Sequence, residues 1–208
     1  MARYTGPVCR LCRRLGDKLY LKGEKCYTPK CGFERRPYSP GPRSMRRRKV
    51  SDRGFQLREK QRARAIYGVL ERQFRRYYAE AVRRRGVSGD NLLRILEMRL
   101  DNLVFRLGFA DSRAQGRQVA LHGHVTVNGR KAYAPSHVLK VGDVVGWTSR
   151  GQRSKYFQMV KEQMAGKSVP SWLSVDAEGM TGRVLAQPEI EEIEAKFNQA
   201  TVVEYYSR

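Results

Sequence analysis

Residues 99–129 run RLDNLVFRLGFADSRAQGRQVALHGHVTVNG, and the change of period inside that run decides the fold. Leu93, Leu96, Leu100, Leu103, Val104 and Leu107 recur every three or four residues, which predicts one long amphipathic helix with a single buried face. Gly108 ends it, because a residue without Cβ enters the left-handed conformation at no steric cost. Asp111 or Ser112 then caps a second helix. Arg113 and Arg117 stand four residues apart on it and share a face. Beyond Gly123 the period drops to two, and Asn128-Gly129 supplies the positive φ angles of a type I′ hairpin turn.

Downstream, residues 135–147 alternate weakly and turn again at Gly142-Asp143, so more short strands are expected. Residues 154–165 and 189–196 read as helix-forming. Trp172 reads as a buried anchor, and residues 201–206 as an alternating run. Upstream, Ser51 can cap a helix that Gly68 breaks. Phe74, Tyr77, Tyr78, Ala81 and Val82 give the next helix one wide apolar face. Arg83-Arg84-Arg85 suits the negative end of its dipole, and Gly86 stops it. Those aromatics read as core rather than as base-stacking platforms.

The 208 residues carry a formal charge of +22, unevenly spread. Residues 1–50 hold 15 Lys and Arg against 3 Asp and Glu, whereas residues 151–208 hold 7 against 8. A field of that sign implies a polyanionic partner, because neutralised phosphates release condensed counterions. A membrane surface would satisfy the charge as well, but no long apolar run, signal core or lipidation motif is present. Arg outnumbers Lys, which favours phosphate and base recognition through a planar fork. The cationic candidates are Arg10, Arg13, Arg14, Arg35 and Arg36, then Arg46, Arg47, Arg48 and Lys49 of a basic arm. The first long helix adds Arg58, Lys60, Arg62 and Arg64, and the next two elements add Arg99, Arg106, Arg113 and Arg117. His122, His124, Asn128 and Lys131 extend that face onto the hairpin. For the histidines, packing or capping competes with phosphate contact. Asp101 and Asp111 read as helix caps or arginine partners, and Asn128 serves its turn first.

Cys9 and Cys12 form one close pair, Cys26 and Cys31 another, thirteen residues on. Two such pairs suit a tetrahedral zinc ion. The segment is too small and polar to fold by burial, so metal binding would supply its folding free energy. Flanking Arg10, Arg13, Arg14, Lys25 and Lys30 are expected to lower the thiol pKa values. The same thiolates accommodate an iron–sulfur cluster. Disulfides would need an oxidising compartment that nothing in the chain marks.

The stretch 99–129 closely resembles the S4 RNA-binding module. From ARYTGPVCRLCRR near the start to VVEYYSR at the end, the whole chain is similar to the bacterial ribosomal protein S4 family. That resemblance implies an α+β protein. A four-cysteine, zinc-type knuckle and basic extended arm would occupy residues 1–45. A helical rRNA-binding domain would span 46–97 and be completed by 161–208, with the S4 module, two helices plus a small antiparallel sheet, inserted at 98–160. It further implies binding of 16S rRNA in the 5′ domain, nucleation of 30S assembly, and contacts with mRNA near the entry channel that affect accuracy. It implies S5 as a protein neighbour, a cytoplasmic location in the small subunit, and feedback repression of translation in some members. Neither a small-molecule substrate nor a membrane is implied.

Some positions depart from the family pattern. Ser39-Pro40-Gly41-Pro42-Arg43-Ser44 replaces a PPGQHG-like stretch, and Leu121 replaces a commonly basic residue. Gly116 stands where Ala is usual, which is expected to loosen its helix by up to ~1 kcal/mol. Residues 189–196 also differ from the usual tail.

Two other functions compete. An RNA-modifying enzyme or tRNA synthetase can borrow an S4 module, but it needs a catalytic domain, and no phosphate-cradling glycine loop, HExxH or nucleophile–base set is present. A zinc-dependent DNA-binding regulator needs a recognition helix with base-reading spacing, which residues 9–31 lack.

Overall fold

The computed structural model describes residues 3–42, 49–193 and 195–207. The fold divides into two compact units, one built from residues 1–93 with 194–208 and the other from 94–193. The second is therefore inserted in sequence into the first.

The first unit is helical. It contains α1 (Cys9–Leu15), α2 (Gly32–Arg35), α3 (Asp52–Tyr67), α4 (Glu71–Arg83), the start of α5 (Ser88–Glu97), and α10 (Gln199–Ser207). Ser51 caps α3 by accepting from the Gly54 N–H at 3.2 Å, and Gly68 closes it at φ 61°. Phe74, Tyr77 and Ala81 are buried as their spacing requires, but Val82 is exposed. The C-terminus of α4 is closed by Asn91, whose Nδ2 donates to the carbonyls of Ala81, Arg84 and Arg85 at 3.1–3.3 Å.

The alternating run 201–206 is helix rather than strand. The Asn198 side chain accepts from the Thr201 N–H at 3.1 Å and starts the first turn. At helical spacing Val202 is fully buried, and Tyr206 stacks on Tyr78 with 4.7 Å between centroids. Tertiary contacts made at a period near four override the β-branched pattern.

The second unit begins within α5. The single long helix expected through residue 107 is two, α5 and α6 (Leu100–Arg106). Arg99 lies between them in extended conformation and bridges Val138 antiparallel. The Leu100 and Asp101 N–H groups donate to the carbonyls of His137 (2.8 Å) and Pro135 (3.1 Å), so the 135–138 segment satisfies N–H groups that a continuous helix would have bonded internally. Gly108, at φ 77°, ends α6, and Lys167 Nζ donates to its carbonyl at 3.0 Å.

Next come α7 (Arg113–Leu121) and the strands β1 (Val125–Val127), β2 (Arg130–Lys131), β3 (Val144–Trp147), β4 (Leu173–Asp176) and β5 (Thr181–Val184). They form one antiparallel sheet in the order β2-β1-β3-β5-β4. Asn128 and Gly129 both have positive φ and close the β1–β2 hairpin, as their sequence required. Leu100, Leu103, Leu107, Val125 and Val145 are fully buried in this unit's core, with Trp147 and Trp172 beside them. Two further helices, α8 (Ser149–Gln152) and α9 (Lys155–Gln163), follow β3.

The boundary expected at residue 161 is displaced. Residues up to 193 stay with the second unit, because β4 and β5 extend its sheet. Among the described residues, 189–196 form turns rather than a helix; Glu192 accepts from the Ser171 hydroxyl at 2.5 Å and Ile193 is buried.

Candidate nucleic-acid interface

Helices α6 and α7 pack through a glycine. A Cβ on Gly116 would lie 2.5 Å from the Asp101 carbonyl oxygen, so the missing side chain lets the two backbones approach. The propensity cost anticipated at Gly116 accompanies an inter-helix contact that Ala cannot make without a backbone shift. Ser112 caps α7 by accepting from the Gln115 N–H at 3.3 Å, while Gln115 Oε1 accepts from the Asp111 N–H at 2.8 Å.

This packing gathers an ion-pair cluster. The Glu97 carboxylate is fully buried and accepts from Arg106 Nε (2.9 Å) and Nη2 (3.0 Å) and from Asn102 Nδ2 (2.7 Å). Arg113 Nη2 lies 3.6 Å from it. Asn102 Oδ1 in turn accepts from Arg113 Nε at 2.6 Å, and the Arg113 guanidinium sits 4.9 Å over the Phe105 ring. Asp101 accepts from Arg99 Nε (3.0 Å) and Nη2 (2.5 Å) and from Arg117 Nη1 (3.2 Å). Four guanidiniums thus meet two carboxylates, leaving two positive charges in excess. The expected roles of Asp101 as an arginine partner and Asn128 as a turn former hold: Asn128 Oδ1 accepts from the Val144 N–H and its Nδ2 donates to Asp143, both at 2.9 Å.

Arg106, Arg113 and Arg117 keep part of their surface, whereas Arg99 is 1% exposed. Arg99 is therefore corrected from a phosphate contact to an internal partner of Asp101. Lys60 is corrected likewise. It is buried in the first unit, 3.1 Å from Glu71 and 4.4 Å over the Tyr205 ring, and fastens α10 to α3. Arg62 pairs with Glu59 at 2.6 Å, and Glu59 accepts from the Asn198 N–H at 2.8 Å. Arg10, Arg14, Arg35, Arg36, Lys49 and Arg58 lie on the surface. Arg13 is half-buried and donates to the Tyr38 carbonyl at 2.9 Å. Arg46, Arg47 and Arg48 lie outside the described residues.

His122 and Lys131 are exposed on the hairpin side of the second unit. Burial holds His124 below the ordinary histidine range, helped by the positive charges of His122, Arg150 and Lys131. Sequence reasoning missed Glu97 and Asn102. Their signal was a carboxylate four residues before Asp101 on an otherwise basic face.

The four cysteines line one small pocket with Val8, Lys18, Leu21, Lys22 and Phe33. None is in a disulfide. Burial pushes the Cys12 thiol up, and the neighbouring Cys26, Cys9 and Cys31 add to the rise. For Cys12 this direction is opposite to the lowering expected from the flanking cations: burial is the largest influence, and the opposing one is a hydrogen bond from the Leu19 backbone. Among the described residues no group of three His, Cys, Asp or Glu side chains is set to hold an ion as it stands. The donor chemistry, four thiols around one pocket, still fits a soft tetrahedral metal.

Residues 3–97 match the ribosomal protein S4/S9 N-terminal domain, and residues 98–145 match the S4 domain. The chain belongs to the ribosomal protein S4 family. It is similar to the small ribosomal subunit protein uS4 of Heliobacterium modesticaldum, 54% identical over 208 residues and the full length of both chains. The uS4 proteins of Syntrophomonas wolfei subsp. wolfei and Acetivibrio thermocellus are 54% and 52% identical, again over all of both chains. Membership makes this a structural rather than a catalytic protein. No described helix is long and apolar enough to cross a membrane.

Proposed function

We propose that the chain is a structural constituent of the small ribosomal subunit that binds 16S rRNA in the 5′ domain and nucleates assembly there. The observation that carries this reading is the cluster of Arg99, Arg106, Arg113 and Arg117 at α6 and α7, with two positive charges in excess over Glu97 and Asp101, in a chain whose whole length follows the uS4 pattern. Folded RNA hides its base edges in a deep groove, so recognition runs through shape, phosphate and ribose. Planar forks held on a rigid helix pair suit that task. The surface cations of residues 10–58 add grip beyond the S4 module. Contacts with mRNA at the entry channel and with S5 follow from the family resemblance and belong to the same reading.

The reading extends to one structural zinc ion held by Cys9, Cys12, Cys26 and Cys31, supported by their paired spacing and shared pocket. An iron–sulfur cluster is the other occupant such a donor set admits.

Co-sedimentation tests the assembly role. Tagged chain should remain with small subunits through a high-salt wash. Recovery in the supernatant alone, at salt where other subunit proteins stay bound, would count against it. Comparing rRNA fragment, tRNA and duplex DNA at equal salt separates the alternatives: a preference for tRNA with turnover marks an enzyme, and for duplex DNA a regulator.

A further inference from the structure

We propose that Glu97 is a positioning residue for RNA binding: it never meets the RNA, but it sets the guanidiniums of Arg106 and Arg113 for phosphate. The inference rests on the RNA-binding reading of this face. A fully buried carboxylate in a chain of charge +22, beside arginines assigned to a polyanion, demands a reason. On charge alone it is counterproductive, since it repels phosphate and is costly to desolvate. The geometry supplies the reason. Glu97 takes both Nε and Nη2 of Arg106 and so fixes the plane of that fork, where one ammonium-like contact would leave it free to swivel.

Asn102 carries the restraint to the second arginine. Its amide donates to Glu97 at 2.7 Å, which orients its oxygen toward Arg113 Nε at 2.6 Å. Phe105 supports the Arg113 plane from below. The two arginines come from different helices, Arg106 ending α6 and Arg113 opening α7. One carboxylate therefore sets the spacing between cations that separate elements contribute. Arginine side chains carry about 2 kcal/mol of rotamer entropy, and fixing it before the RNA arrives removes that cost from binding.

The proposal predicts an effect opposite in sign to simple electrostatics. Glu97→Gln raises the net charge by one, and an additive charge model makes the variant bind more tightly. Positioning makes it bind more weakly, by ~10-fold, the size of one lost charge-assisted contact. The test is a filter-binding titration of the full chain against a transcribed 5′-domain rRNA fragment, with circular dichroism confirming that each variant is folded. In an Arg106→Ala/Arg113→Ala background, the further change Glu97→Gln should have no additional effect on affinity, whereas a general structural role persists there. Should Glu97→Gln fail to fold, Glu97→Asp keeps the charge and shortens the reach, and the same loss is expected. Folded variants that bind as tightly as the parent, or an undiminished loss in the double-alanine background, would overturn the proposal. A parent chain that does not bind the fragment would defeat the RNA-binding reading itself.

Discussion

Arg117 of α7 reaches back to Asp101 of α6, its Nη1 lying 3.2 Å from a carboxylate oxygen that also holds Arg99. Glu97 stands in the same relation to Arg106 and Arg113. The basic face of the second unit is thus a half-neutralised network in which acids fix the bases. Its effective charge is smaller than its arginine count, and its orientation is better defined.

Replacing both Arg113 and Arg117 by Ala should weaken binding to the rRNA fragment while the chain stays folded. Each carboxylate keeps a second arginine, so the loss per position is that of one charge-assisted hydrogen bond, about 1.5–3 kcal/mol. Urea denaturation reads the stability and filter binding the affinity. Unchanged affinity would reject the assignment of these arginines.

Gly116→Ala should destabilise the second unit despite better helix propensity. Propensity favours Ala by up to ~1 kcal/mol, but overpacking against a backbone carbonyl costs about 1–3 kcal/mol. The Asp101 carbonyl must move, and its side chain with it, so RNA affinity should fall as well. A higher Tm with unchanged affinity would show that α6 and α7 separate without strain.

Glu71 makes the first unit acid-sensitive. Burial alone would raise its carboxyl, but the Tyr206 hydroxyl at 2.7 Å and Lys60 at 3.1 Å outweigh that and hold it below its ordinary value of 4.5. A depressed folded-state pKa stabilises above the unfolded value and loses that stability as pH falls through the folded one. The stability difference between the parent and Glu71→Gln should therefore be largest near neutral pH and shrink below about pH 4. Tyr206→Phe should shrink that difference, because losing the hydrogen bond brings the folded-state value of Glu71 closer to the unfolded one. A difference that does not vary with pH would show that Glu71 does not act through its charge.

Metal analysis of anaerobically purified chain should find about one zinc per chain, as a four-thiolate structural site requires. Cys26→Ser should lose it and loosen residues 9–31, detected by amide exchange, while the second unit keeps its protection. Iron in place of zinc would name a cluster. Neither metal would sink the proposed site.

The sequence was most legible where one local rule acts alone. Ser51, Gly68, Gly108, Ser112 and the Asn128-Gly129 turn behave as their chemistry dictates. It was least legible where partners distant in sequence compete. The helix broke at Arg99 because residues 135–138 captured its backbone, and residues 201–206 became helical because Tyr206 found Tyr78 and Glu71. The candidate interface shows the same division. Arg113 and Arg117 could be paired from their spacing, but the burial of Arg99 and Lys60 depended on Asp101, Glu71 and the returning helix. Charge counting alone cannot tell a phosphate contact from an internal partner.

Salt dependence of binding to the 5′-domain rRNA fragment measures how far this interface works through phosphate neutralisation. If about six phosphates are neutralised, a log–log plot of the binding constant against salt should fall with a slope of about −4 to −5. A flat plot would contradict the electrostatic account of this interface.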